Sequence, residues 1–298
     1  MTGFRLAPLL ATTMVLGLLA GCSAAVEEPV AEVQSPAPEV TLDTTAEPTA
    51  EPTEEALLIN DPWSSWDGYG TVFLTADALT PESPSAFLGI TYRGIENRET
   101  YDKRVGDWVR NDSFVFSANY KCGLPLVDIV VNPEFTEGQA LEEATRVAEV
   151  LGRLPAGPRA NVLELWIHDG WELAGGGNNA IELYSDYITS EFDWLEEVFA
   201  HEAAHATLDY TFGGVVDEAA WAEAVQSDGQ FISQYASDNP DWEDIAESYG
   251  AYLVWAMHQE QGLFPVSAAE IEAKIPARLA YFESLGADYG PLPASCGE

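Results

Sequence analysis

The sequence predicts an α+β globular head, and three observations carry that reading. Between residue 57 and about residue 135, β-branched and aromatic runs alternate with Gly, Pro and Asn. From residue 190 onward, apolar residues recur at helical spacing. No internal repeat is present, and strands that precede helices in the chain indicate α+β rather than alternating α/β organisation.

Four runs read as early strands: "GTVFLTA" (70–76), "AFLGITYRG" (86–94), "SFVFSANY" (113–120) and "PLVDIVVNPEF" (125–135). In 136–152 the residues Leu141, Ala144, Val147, Ala148 and Leu151 fall on one helical stripe, and Gly152 reads as its stop. "ANVLELWIHDG" (160–170) alternates with period two and reads as a strand. A glycine-rich turn at Gly175, Gly176 and Gly177 leads into "NNAIELYSDYI" (178–188), another strand. Asp193 and Glu196 form a candidate capping box for a helix through Trp194, Leu195, Val198 and Phe199 that ends at Gly213-Gly214. Further helices are expected around 216–236, 242–260 and 267–284.

The head occupies residues 57–298 and holds all nine tryptophans, enough for one substantial core. Residues 1–22 carry Arg5, a short apolar run and Leu19-Ala20-Gly21-Cys22. That run is too short to span a bilayer and reads as a secretory signal. Its end resembles the lipobox of bacterial lipoproteins, which implies lipidation of Cys22 and an extracytoplasmic protein anchored to the bacterial cell membrane through its N-terminal lipid. Residues 23–56 contain no Lys, Arg or aromatic residue and are rich in Glu, Pro, Thr and Ala. They read as a disordered tether, spanning roughly 30 Å as a flexible coil.

The chain carries 12 basic and 50 acidic residues, a net charge of -38, and the tether holds only nine of those acids. A head this acidic excludes nucleic acid as a partner, because phosphate binding requires Lys and Arg. With Cys22 lipidated, Cys122 and Cys296 remain as an even pair in an oxidising compartment, so a disulfide between them is expected.

Chemistry concentrates in "VFAHEAAHATLDY", residues 198–210. On a helix, His201 and His205 project from one face a turn apart, as two imidazoles must to bind one metal ion. Glu202 lies beside them, placed to take a proton from an activated water. This is the HExxH arrangement of zinc hydrolases. A catalytic zinc needs a third protein ligand. Leu208 and Thr211 stand where a metzincin would have Gly and His, so that ligand must come from elsewhere. His168 reads as structural or cleft-lining and His258 as a helix-surface residue. Downstream, Asn239-Pro240-Asp241 reads as a helix start, after which Glu243 and Glu247 share a face. Glu243, Asp244 and Glu247 are all candidates for the third position.

Together, "HEAAHATLD" and "FISQYASDNPDWEDIAES" resemble zinc peptidases of the gluzincin type, in particular the group that includes the anthrax lethal factor catalytic domain. The resemblance covers residues 194–250 and, loosely, 163–184. It implies a zincin-like fold, a mixed N-terminal sheet and a mainly helical C-terminal half with the active site between them. It also implies one Zn2+ held by His201, His205 and Glu243, with Glu202 as general base. By the same likeness Tyr235 would donate a hydrogen bond to the oxyanion, while Glu247 and Asp209 would support the ligand histidines. The spacing from Asn239 to Glu243 is one residue longer than in that group, which keeps Asp244 as a rival ligand. The expected activity is zinc-dependent hydrolysis of a peptide or protein substrate. The alternative is a non-proteolytic, zinc-containing surface lipoprotein that binds a peptide, solute or wall polymer. Glycines 175–177 with the strand after them are a candidate rim for pairing an extended peptide, while Trp221, Trp242 and Trp255 carry no assignment.

Overall fold

The computed structural model describes residues 79–121, 126–190, 195–261 and 265–290, with the side chains of 258–267 and 287 excepted. All of them belong to one unit, Pro52–Glu298. Cys22, the tether, the strand expected at 70–76, the capping position Asp193, both Cys122 and Cys296, and the side chain of His258 lie outside the described residues.

Six strands form one sheet in the order β1-β2-β3-β4-β6-β5. Strands β1 (Phe87–Asp102) and β2 (Asp107–Tyr120) make a long antiparallel hairpin that closes at Asp102↔Asp107. Its turn contains Gly106 at φ 68, a left-handed conformation that glycine adopts without a Cβ penalty. β2 pairs antiparallel with β3 (Val127–Val131). β3 and β4 (Glu164–His168) are parallel, so the chain between them must cross over. It does so through helices α1 (Glu137–Arg153) and α2 (Ala156–Arg159). β6 (Ala180–Tyr184) runs parallel to β4, and β5 (Gly175–Gly177) adds antiparallel at the edge. The sheet is therefore mixed. Strand-forming sequence continues past the first helix because the parallel pairing of β3 with β4 is made through a helical crossover, whereas β4 reaches β6 through β5.

Helix α1 opens with a capping box between Thr136 and Gln139 and buries Ala140, Ala144, Val147, Ala148 and Leu151. Leu141, expected on that stripe, is 44% exposed, because it lies one residue, roughly 100° of helix, beyond Ala140. Gly152 does not stop the helix, which runs to Arg153. A Cβ there would meet Ser85 Oγ at 2.3 Å and the Phe87 amide nitrogen at 2.9 Å, so the glycine lets α1 lie against the start of β1. Contrary to expectation, 175–177 is a strand and the 178–188 run is divided. β6 ends at Tyr184 and a short helix, α3 (Ser185–Ser190), follows.

The second half is helical as expected, with different breaks. α4 (Leu195–Thr207) ends well before Gly213-Gly214, and Tyr210–Phe212 form a 3-10 turn capped by Asp209. The helix expected at 216–236 is two. α5 (Glu218–Asp228) stops at Gly229 in the left-handed conformation, and α6 (Gln234–Asp238) starts on the Ser233 cap. α7 (Asp244–Gln261) begins later than Asn239-Pro240-Asp241 suggested. The helix expected at 267–284 is split by Pro276 into α8 (Pro265–Lys274) and α9 (Pro276–Ser284), since proline cannot continue the hydrogen-bond ladder. Among the described residues, no helix is long and apolar enough to cross a membrane.

The core lies between one face of the sheet and the helices. Ile129, Leu165, Ile167, Ile181 and Leu183 are fully buried there with Val147, Leu151, Phe199 and Ala203. A smaller apolar group, Val130, Trp166 and Ala180 with Tyr101, forms a separate cluster. Trp221 is buried in the main core, and Trp255 is partly buried against it.

Candidate metal centre

Helix α4 passes directly beneath the edge strand. A Cβ on Gly176 would stand 2.1 Å from the Glu202 carbonyl oxygen, so only glycine lets β5 approach the helix this closely. Apart from His201, which is partly exposed, the helix is buried from Leu195 through Thr207 except at Glu197, and Ala200, Ala203, Ala204 and Ala206 are among its buried small side chains.

From α4 the two histidines converge. Their ring centroids are 4.9 Å apart with planes at 75°, and His205 Nε2 lies 3.2 Å from His201 Nε2. Glu243 Oε2 completes the group at 3.2 Å from each nitrogen. Three donor atoms thus form an equilateral triangle. Tetrahedral zinc with bonds near 2.0–2.1 Å separates its ligand atoms by about 3.3–3.4 Å. Two imidazole nitrogens and a carboxylate oxygen at this spacing therefore fit zinc, and among the described residues this is the group able to hold a metal ion.

Carboxylates face the outer ring nitrogens. Glu247 Oε1 lies 3.3 Å from His201 Nδ1, and its other oxygen accepts from Ser233 Oγ at 2.6 Å. Asp209 Oδ2 faces the buried His205 Nδ1 at 3.5 Å, the outer limit of hydrogen bonding. Asp209 Oδ1 accepts from the backbone and hydroxyl of Thr211. A proton kept on each Nδ1 leaves the Nε2 lone pair free for a metal. Tyr235 donates to Glu243 Oε1 at 2.9 Å, so it reaches the ligand set despite the longer spacing.

Electrostatics match this geometry. Burial opposes charge on Glu243, yet hydrogen bonds from His201 and His205 outweigh it and hold the carboxyl well below its ordinary range. Burial likewise works against protonated His201. Glu243 and Glu247 overcome it and raise the imidazole well above its ordinary value. The same balance, with Asp209 and Glu243 as the partners, raises His205. Burial and then the Glu243 charge push the Tyr235 phenol up, so it stays a donor.

Asp244, the rival ligand, points elsewhere. Its Oδ2 accepts from Arg278 Nε and from Trp221 Nε1, both at 3.0 Å, while burial raises its carboxyl above the ordinary value. Successive residues at a helix start diverge by about 100°, so Asp244 anchors the helix while Glu243 faces the histidines. Glu243 sits one residue ahead of α7, and its carbonyl accepts from Glu247 N at 2.9 Å, which keeps Glu243 and Glu247 one turn apart.

A cavity of about 630 Å3 opens onto the triangle, a size suited to a ligand or a stretch of peptide. Glu202 lines it, and its charge acts on both imidazoles. Phe212 and Trp242 (centroids 6.4 Å apart) form one wall, with Trp242 more than half exposed. No protein-family model matches this chain. No curated protein and no solved structure matches it either.

Sequence reading missed another part of the lining. Tyr101, Lys103 and Trp108 come from the β1–β2 hairpin, about a hundred residues before the histidines, and line the same cavity. No motif or periodicity marks them. His168, read as structural or cleft-lining, is buried beneath the hairpin tip and stacks on Tyr184 at 5.3 Å.

Proposed function

We propose that this protein is a zinc peptidase of zincin-like architecture, lipid-anchored outside the bacterial cell membrane, that hydrolyses internal peptide bonds. The observation that carries the reading is the 3.2 Å triangle of His201, His205 and Glu243, open to a cavity that Glu202 shares. A purely structural site would close its fourth position and would have no use for a base.

A bound zinc supplies Lewis acidity towards a carbonyl and acidifies water. His201, His205 and Glu243 would hold it. Glu202 accepts the proton of the attacking water and returns it to the leaving amine. Tyr235, kept protonated by its surroundings, turns its hydroxyl from Glu243 Oε1 to donate to the oxygen on which negative charge develops. Glu247 and Asp209 orient the two imidazoles. Among the described residues β5 ends the sheet, and its outer edge beside α4 favours an extended peptide added as a further strand, the mode that suits cleavage within a chain.

Zinc analysis combined with cleavage of a diverse peptide library tests the reading. The wild-type protein should contain about one zinc and cut peptides. Glu202→Gln should keep zinc and lose cleavage, and Glu243→Ala should lose most of the zinc. Zinc retained by Glu243→Ala would refute the ligand set. A zinc-loaded wild type that cuts nothing would favour a binding lipoprotein instead.

A further inference from the structure

We propose that the tip of the β1–β2 hairpin is a specificity wall of this cleft, where Trp108 receives a bulky apolar side chain of the bound peptide; the peptide identity of the occupant rests on the function proposed above. Residues 104–107 of the turn are exposed, but the strand ends beside them are anchored. Lys103 N donates to Glu182 Oε1 at 3.0 Å and to Tyr184 Oη at 2.7 Å, and Lys103 Nζ caps the carbonyls of Leu173 and Ala174. Arg104 donates to the buried Asp102, to Glu134 and to the Asp169 carbonyl. The tip is therefore pinned across β6 and the chain leading into β5.

That latch sets three aromatic rings in series. Tyr101 meets Trp108 at 5.8 Å and Trp108 meets Trp166 at 5.4 Å, both edge to face. Trp166 is buried, with Val130 and Ala180 as its apolar floor, whereas Trp108 is 48% exposed. All three rings line the cavity that contains Glu202 and the triangle. The polar groups beside Trp166 are already engaged. Trp166 Nε1 donates to Glu164 at 2.6 Å, Glu164 pairs with Arg98, and Arg98 also pairs with Asp128. What the wall offers is apolar area, which suits a Phe, Leu or similar side chain better than the hydroxyls of a sugar.

The strand register places it. Trp166 pairs with Glu182, and Glu182 pairs with Gly175, so Trp166 lies two strand spacings, about 10 Å, from the edge strand.

The test is equilibrium binding to full-length, zinc-loaded Glu202→Gln protein. The probes are labelled decapeptides of Gly, Ser and Ala in which a single Phe is moved along the chain, followed by fluorescence anisotropy. Phe at one or two adjacent positions should tighten binding about tenfold. Adding Trp108→Ala should abolish that gain without changing zinc content, and Trp108→Phe should keep it. Should the alanine variant not fold, Trp108→Gln retains most of the bulk and should show the same loss. A gain that survives loss of Trp108, no positional gain at all, or Trp108-dependent binding of a β-linked N-acetylhexosamine oligosaccharide with none for Phe would overturn the proposal. Because the readout involves no turnover, failure of the wild type to cleave peptides would count against the peptidase reading and leave this wall to be judged by binding.

Discussion

Removing Arg278 should both destabilise the fold and loosen the metal centre. The side chains of Arg278 and Asp228 are fully buried and that of Asp244 nearly so, and Arg278 holds each carboxylate at 3.0 Å. It also donates to the Gln230 carbonyl at 3.0 Å. Arg278→Ala leaves two buried carboxylates without their cation, and breaking a buried pair from one side typically costs about 3–5 kcal/mol. Burial already raises the Asp244 carboxyl, so it can escape part of that cost by taking up a proton. The expectation is therefore near the lower end, about 3 kcal/mol, or a fall in Tm of roughly 6–12 °C for a domain of this size. Asp244 adjoins Glu243, and releasing it frees the start of α7. Zinc affinity should then fall roughly 10–100-fold, the usual effect of losing an outer support of a ligand. Thermal unfolding by circular dichroism, with zinc and with a chelator, reads the first effect, and chelator competition reads the second. A Tm within 2 °C of wild type would refute the ion-pair argument. Unchanged zinc affinity would refute the link to Glu243.

Two further outcomes are expected. Gly176→Ala puts a methyl 2.1 Å from the Glu202 carbonyl, and overpacking against backbone costs about 1–3 kcal/mol; denaturant unfolding should show it, together with weakened peptide cleavage as β5 shifts from α4. His168 supplies a pH dependence: burial lowers its pKa, opposed by Asp102, so below about pH 6.5 the unfolded chain binds more protons there than the folded one. Stability contributed by neutral His168 is complete above that pH and declines below it, and His168→Gln should lose less stability than wild type between pH 7.5 and pH 5.

Local pattern and chemistry made much of this legible. Spacing alone placed His201, Glu202 and His205 on one helix, because i and i+4 face the same way in any α-helix. It also put Glu243 and Glu247 one turn apart, although α7 starts at Asp244 rather than near Asp241. The choice between Glu243 and Asp244 was not legible. Both are acids at adjacent positions, and what separates them is Arg278, a cation thirty-four residues away that claims Asp244. Helix breaks at Gly229 and Pro276 had plain local signals that the apolar pattern on either side obscured.

By itself the sequence determined the helical presentation of two imidazoles with a carboxylate between them, the split into strand-rich and helix-rich halves, and the acidic surface, since these follow from residue type and spacing within a few turns of chain. Only the tertiary structure decided which carboxylate faces the histidines, that three glycines form an edge strand against α4, and that a distant hairpin walls the cleft. Those outcomes depend on contacts between segments far apart in sequence, whose partners no local periodicity encodes.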